Sequence, residues 1–312
     1  MTRPIEYLAG LGYASIFGLS FLITKGALGS LAPFELLFLR FSIAALLLGV
    51  LALLRLVRLD YRGKPWGRLA LICLFQPLLY FACETFGVRE SASSTAGLVI
   101  GALPAVGTVL GALLLRERVG ALQGTFLALS VGGVAVVALF GGAAGGGTGS
   151  LAGFVLLLGA VASAALYNVL SRSSSASFTP IETTFAMMWA GALAFGLLAL
   201  LGGLLAPAAS PAPLWERALP ALPGILYLGA LSSILAFFLI NFTLSRMPVS
   251  QSIVFSNLTT VISVAAGVLL RGEAFGAAQL AGSAMIVAGV WGTNAFARRG
   301  PAGPTAAPRP AA

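Results

Sequence analysis

The sequence predicts an all-α integral membrane protein, with ten transmembrane helices arranged as two inverted five-helix repeats. Three observations carry this prediction. Of the 312 residues, 59% are hydrophobic and only 9% charged, against about a quarter charged in a soluble domain, and the mean hydropathy is +1.00. Ten apolar runs approach the roughly 20 residues that a helix needs to cross a bilayer. The second half of the chain also repeats the first.

The runs cover residues 5–24, 33–54, 67–87, 93–115, 121–140, 150–171, 181–205, 221–244, 250–270 and 276–296. The first follows Arg3 and imitates a secretion signal, but it is long enough to span and more membrane segments follow, so it is read as a retained helix. The stretch Gly141–Gly149, GGAAGGGTG, is expected to be a flexible linker between a first repeat at 1–140 and a second at 150–297. The basic tail 298–312 lacks apolar mass and is expected to be disordered. Cys73 and Cys83 lie ten residues apart in one run, roughly 15 Å along a helix. That is too far for a disulfide, and both read as packing residues.

Orientation follows from the basic residues. With the N-terminus inside, the cytoplasmic segments hold Arg3, the cluster Arg55, Arg58, Arg62, Lys64 and Arg68, then Arg116, Arg118, Arg172, Arg246, Arg298, Arg299 and Arg309. The outside holds only Lys25, Arg89, Arg217 and Arg271, and Arg40 lies within a span. This is the positive-inside bias, and it puts both termini in the cytoplasm. The net charge of +9 would suit nucleic acid only if it gathered on a soluble face. Distributed among short loops it points to the lipid bilayer as partner, with no nucleic acid. The expected location is a bacterial inner (plasma) membrane.

The repeat is the most informative feature. A shift of 156 carries Gly111, Glu117, Gly120, Gln123 and Gly133 onto Gly267, Glu273, Gly276, Gln279 and Gly289, and Phe81 and Phe86 onto Phe237 and Phe242. Nearer the start of each half the shift is 147: Lys25 meets Arg172, Pro33-Phe34-Glu35 meets Pro180-Ile181-Glu182, and Phe38 meets Phe185. The difference is an insertion, placed most simply in the Pro-rich stretch 206–213. Five spans per half is an odd number, so the copies must run in opposite senses through the membrane. Inverted repeats of this kind build secondary transporters, with the substrate site near the midplane between the halves.

The closing segments of the two halves carry a family resemblance. They read Leu113-Leu-Leu-Arg-Glu117-Arg-Val-Gly-Ala-Leu-Gln123 and Leu269-Leu-Arg-Gly-Glu273-Ala-Phe-Gly-Ala-Ala-Gln279-Leu-Ala-Gly282, supported by Asn241-Phe-Thr-Leu-Ser-Arg246 and Phe38-Leu-Arg40-Phe. Over about residues 8–296 the chain resembles the EamA branch of the drug/metabolite transporter superfamily. One departure is Phe126, where the second copy has Gly282. Within the branch the overall similarity is to bacterial exporters of aromatic amino acids. The resemblance implies a ten-helix basket that exports amino acids and related small molecules. A monomer is expected, with a weak homodimer as the alternative.

Candidate substrate-binding residues are the polar and aromatic groups at membrane depth. Glu84 could take a substrate ammonium group or a proton; the plainer alternative is a carboxylate just below the outer surface, paired with Arg89 or lysine-bearing loop ends. Arg40 could hold a carboxylate through two parallel hydrogen bonds, lock neighbouring helices, or pair with Glu35 or Glu84; together Arg40 and Glu84 would suit a zwitterion. Gln76 precedes Pro77, whose missing N–H frees a carbonyl in mid-span, and Tyr80 follows on the same helix. Tyr167 and Asn168 in the sixth span, Trp189 in the seventh, Asn241 in the eighth and Asn257 in the ninth complete the set. The ninth span, with Ser256, Asn257, Thr259 and Thr260, is the best cavity candidate, because buried polar runs need partners or water. Gly97, Gly101, Gly107 and Gly111 read as close-packing positions. Glu117 and Glu273 begin the last helix of each half and read as carboxylates stabilised by the N-terminus of that helix.

Enzyme chemistry is disfavoured. The sequence has no histidine, which removes the commonest general base and metal ligand. It has no phosphate-binding GxxxxGK[ST] loop, and its two cysteines show no zinc spacing. No cofactor or metal is expected. The remaining alternative to a carrier is a channel or facilitator for other metabolites or organic cations.

Overall fold

The computed structural model describes residues 4–114, 120–140, 150–205, 212–247, 255–273 and 275–296, and these form helices and the turns between them. In order they are α1 (Pro4–Ala27), α2 (Pro33–Leu53), α3 (Trp66–Arg89), α4 (Ser93–Ile100), α5 (Leu103–Leu114), α6 (Ala121–Phe140), α7 (Leu151–Ser174), α8 (Pro180–Leu205), α9 (Leu214–Ala218), α10 (Leu222–Arg246), α11 (Phe255–Arg271) and α12 (Ala277–Ala295). Glu117, Arg116, Arg118, Ser250, the linker 141–149, most of the stretch 206–213 and the tail 298–312 lie outside the described residues.

Six helices, α1, α2, α3, α7, α8 and α10, are long and apolar enough to cross a membrane, and four shorter apolar stretches are Ser93–Gly107, Ala121–Val137, Asn257–Arg271 and Ala277–Gly292. Their outward faces are apolar too. Leu193, Leu200 and Leu204 on α8 are each more than 60% exposed. A soluble monomer rarely shows so continuous an apolar surface, whereas lipid is a matched solvent for it.

Packing between the helices follows a regular scheme. α2 lies against α8, α4 against α11, and α6 against α12, while α1 contacts α10 and α11 and α7 contacts α3, α4 and α5. The α6–α12 contact depends on glycine. A Cβ on Gly133 would sit 2.6 Å from the carbonyl oxygen of Gly282, and one on Gly289 would sit 2.5 Å from the backbone nitrogen of Ser130. Only a hydrogen side chain admits that approach. The interior is aromatic, with Phe41 stacked on Phe195 at 5.6 Å and Phe81 edge-on to Phe41 and Phe237 at 5.1 and 5.7 Å.

Two helices depart from regular α geometry, α3 at the cavity and α10 in a stretch away from its lining. Proline disfavours helical angles at the residue before it, and Gln76 is accordingly extended (φ −147°, ψ 119°) in the middle of α3. α10 is wound more widely, as a π-helix, over Tyr227–Ala236.

Charged side chains sit at the helix ends and do structural work there. Lys25 donates to the carbonyls of Val88 and Arg89 at the end of α3, at 3.0 and 2.8 Å. Arg172 donates likewise to Leu244 and Ser245 at the end of α10, both at 2.9 Å. Glu35, in the first turn of α2, takes a two-pronged bond from Arg217 at 2.6 Å on each prong. Glu182, in the first turn of α8, pairs with Lys64 at 2.6 Å and accepts from the backbone of Asp60 and Thr179 at 2.9 Å. Glu35 opens α2 and Lys64 follows its end, so the two ion pairs lie at opposite ends of a helix roughly 30 Å long.

Candidate functional site

A cavity of about 60 Å³ lies among α1, α3, α4, α5, α7, α10 and α11. Phe17 on α1 and Ala164 on α7 line it from about the middle of their helices. Its aromatic wall is Tyr13, Phe17, Phe21, Tyr80 and Phe81, and its polar lining is Ser20, Gln76, Glu84, Tyr167, Asn168 and Thr259.

Of the residues singled out from sequence, Gln76, Tyr80, Glu84, Tyr167 and Asn168 come together here. The break in α3 is what turns Gln76 inward. Its side-chain oxygen and that of Asn168 are buried, and neither accepts a hydrogen bond from a described residue. Glu84 is 2% exposed and accepts from the Thr85 hydroxyl at 3.1 Å. No cation lies within ion-pair distance of it among the described residues. Arg89, considered above as its partner, is 3.9 Å from Glu90 instead.

Four candidates stand elsewhere. Arg40 is 1% exposed, but it donates to Ser233 and Ser232 at 3.2 and 3.1 Å and stacks 4.3 Å over the Phe81 ring. The wide winding of α10 presents those two serines side by side. Asn241 lies just behind the lining. Its oxygen accepts from Tyr167 and Ser171, both at 2.8 Å, and its amide nitrogen donates to Thr184 at 3.1 Å, so it ties α7, α8 and α10 together. Trp189 is 37% exposed on the outer face of α8, and Asn257 is not part of the lining. From the ninth-span polar run, Thr259 reaches the cavity. Thr260 instead donates to the carbonyl of Gly97 at 3.0 Å, and the next polar residue, Ser263, donates to that of Ser93 at 3.2 Å, where the small residues of α4 admit α11.

Glu273 also differs from expectation. The N-terminus of α12 is capped by Gln279, whose side-chain oxygen accepts from the Gly276 amide at 2.6 Å. Glu273 reaches across to α4 and accepts from the amides of Ser93 and Ser94 at 3.0 and 2.9 Å and from the Ser93 hydroxyl at 2.6 Å. Burial alone would raise its carboxyl. The bonds from Ser93 and Ser94 outweigh burial and hold it below the ordinary carboxylate value.

Sequence reasoning passed over α1, which contributes Tyr13, Phe17, Ser20 and Phe21. The signal was present, since aromatic residues at every fourth position share one helix face with a serine beside them.

The comparisons with known proteins agree with this architecture. The EamA-like transporter family matches the chain twice, at residues 4–139 and 151–295. The uncharacterized transporter YcxC of Bacillus subtilis is 34% identical over 288 residues, covering 92% of each chain. A protein of Streptantibioticus cattleyicolor described as a probable terminal-alkyne amino-acid exporter is 28% identical over 211 residues, 68% of this chain and 67% of that one. A solved crystal structure aligns over 96% of this chain and 100% of its own, with a TM-score of 0.65 at 22% identity, and so shares the fold. The chain is therefore a membrane transporter and belongs to the EamA-like transporter family.

Proposed function

We propose that this chain is a secondary transporter. It moves small amino-bearing metabolites, amino acids including aromatic ones, outward across a bacterial inner membrane by alternating access. Its halves are two inverted repeats of five spans each, and both termini are cytoplasmic, as the distribution of arginine and lysine indicates.

One observation carries this conclusion. Ten of the fifteen lining residues fall into five pairs related by the shifts found in the sequence. A shift of 147 takes Phe17, Ser20 and Phe21 to Ala164, Tyr167 and Asn168, and a shift of 156 takes Glu84 and Leu103 to Ile240 and Thr259. All ten line the same space. A site shared in this way between two inverted halves can be exposed to either side when the halves exchange conformations. The helix pairing agrees: second spans meet, fourth spans meet, fifth spans meet, and each first span meets the third and fourth of the other half. So do the end contacts, in which Glu35–Arg217 and Glu182–Lys64 cross between halves at opposite ends.

The cavity of about 60 Å³ is well below the roughly 300 Å³ at which small-molecule pockets begin. Admitting a metabolite thus requires the helices to part, which is what alternating access supplies. The description of the Streptantibioticus relative supports the amino acid class.

The test is uptake of labelled phenylalanine and tryptophan into proteoliposomes containing only this protein, with and without an imposed pH gradient. Saturable, protein-dependent flux is expected. Its absence for every amino acid and amine tried would contradict the proposal.

A further inference from the structure

The carrier proposal leaves open which end of an amino compound the cavity recognises. Resting on that proposal, we infer that the cavity selects the ammonium end alone, so that amines and carboxyl-blocked amino acids are better substrates than the parent zwitterions.

The lining is rich in acceptors. Glu84 brings a carboxylate whose bonding partner is the Thr85 hydroxyl, and Gln76 and Asn168 bring buried amide oxygens that accept from no described residue. Three of the lining hydroxyls are already donating elsewhere. Ser20 donates to the Phe17 carbonyl at 2.7 Å, Tyr167 to Asn241 at 2.8 Å, and Thr259 to the Phe255 carbonyl at 3.5 Å. No lysine or arginine is among the described residues that line the cavity. The buried cation Arg40, outside the lining and in electrostatic reach of Glu84, is held by Ser232, Ser233 and the face of Phe81.

An alkylammonium meets the Glu84 carboxylate here, with the Gln76 and Asn168 amides in the same lining, and aromatic faces attract a cation. A carboxylate entering the same space loses its hydration without a counter-charge in the lining and faces Glu84 as a like charge. The aromatic wall of Tyr13, Phe17, Phe21 and Phe81 suits an apolar body attached to the ammonium. The recognised chemistry is an organic monocation with an aromatic or aliphatic side chain.

The experiment uses the full chain in proteoliposomes and compares tryptamine, tryptophanamide and indole-3-propionate as competitors of labelled tryptophan uptake. Tryptamine and tryptophanamide are expected to compete at concentrations at least about tenfold below unlabelled tryptophan, a step of roughly 1.4 kcal/mol, and indole-3-propionate not to compete. The Glu84→Gln variant, checked for wild-type thermal stability in detergent, is expected to lose the preference for the amines. Saturable tryptophan uptake on which tryptamine competes no better than tryptophan, or on which indole-3-propionate competes, would overturn the inference and leave the carrier intact. A Glu84→Gln protein that keeps the amine preference would overturn it as well. No saturable flux of tryptophan or of labelled tryptamine would sink the carrier proposal itself.

Discussion

Replacing Glu273 by alanine removes a cap that belongs to another helix, and its cost can be worked from the geometry. The carboxylate accepts two backbone bonds at 3.0 and 2.9 Å and one hydroxyl bond at 2.6 Å at the start of α4. An N-cap is worth about 0.5–2 kcal/mol, and a hydrogen bond to a charged group about 1.5–3 kcal/mol when fully desolvated. Glu273 is only half-buried, so the three bonds together come to about 2–3 kcal/mol. With about 2–4 °C per kcal/mol for a chain of a few hundred residues, Glu273→Ala should lower the apparent Tm in detergent by about 4–12 °C. Glu273→Gln keeps one acceptor but turns an amide N–H towards a backbone N–H, and should fall between the two. The effect depends on pH. The folded carboxyl lies below the ordinary value of 4.5, so its contribution is present above 4.5 and is lost as pH falls through the folded value. The gap between wild type and Glu273→Ala should therefore close in acid. An alanine variant that melts with wild type at neutral pH, or a gap that widens on acidification, would refute this account of the cap.

Three further outcomes follow from the same contacts. Asn241→Ala leaves the Tyr167 and Ser171 hydroxyls without their acceptor and should cost about 2–4 kcal/mol, read as a lowered Tm; an unshifted melt would mean the cluster is not a structural knot. Gly289→Ala drives a Cβ to 2.5 Å from the Ser130 backbone nitrogen and should destabilise by about 1–3 kcal/mol. Gly202→Ala, with nothing within 4 Å, serves as the control, and equal melts for the two would contradict the tight α6–α12 contact. Trp189→Phe lies on the outer face of α8 and should leave KM within about twofold of wild type; a large rise in KM would put Trp189 in the substrate path.

Much of this fold was legible because lipid imposes a plain code. Apolar run length gives the helices, and the basic loops carry the proposed orientation. The paired Pro-x-Glu and Glu-x5-Gln segments carry the proposed repeat. The site was only half legible, for a physical reason. In a chain this apolar, a polar side chain at membrane depth must be satisfied whether it meets substrate or a neighbouring helix, so Gln76 and Asn241 look alike in sequence. What separates them is which faces meet. The wide winding of α10 lets Ser232 and Ser233 take up Arg40, and the small residues of α4 let Thr260 and Ser263 bond carbonyls. Neither is visible in hydropathy. The cross-helix reach of Glu273 was hidden for the same reason, since α4 lies 180 residues away along the chain.

The most direct test of the account is counterflow. Proteoliposomes are loaded with unlabelled tryptophan or tryptamine and diluted into a trace of the labelled compound. A cavity opened to one side at a time predicts transient accumulation of label above its external concentration, driven by exit of the unlabelled substrate. Label that only equilibrates, at a rate indifferent to the internal load, would indicate an open pore and contradict alternating access between the two halves.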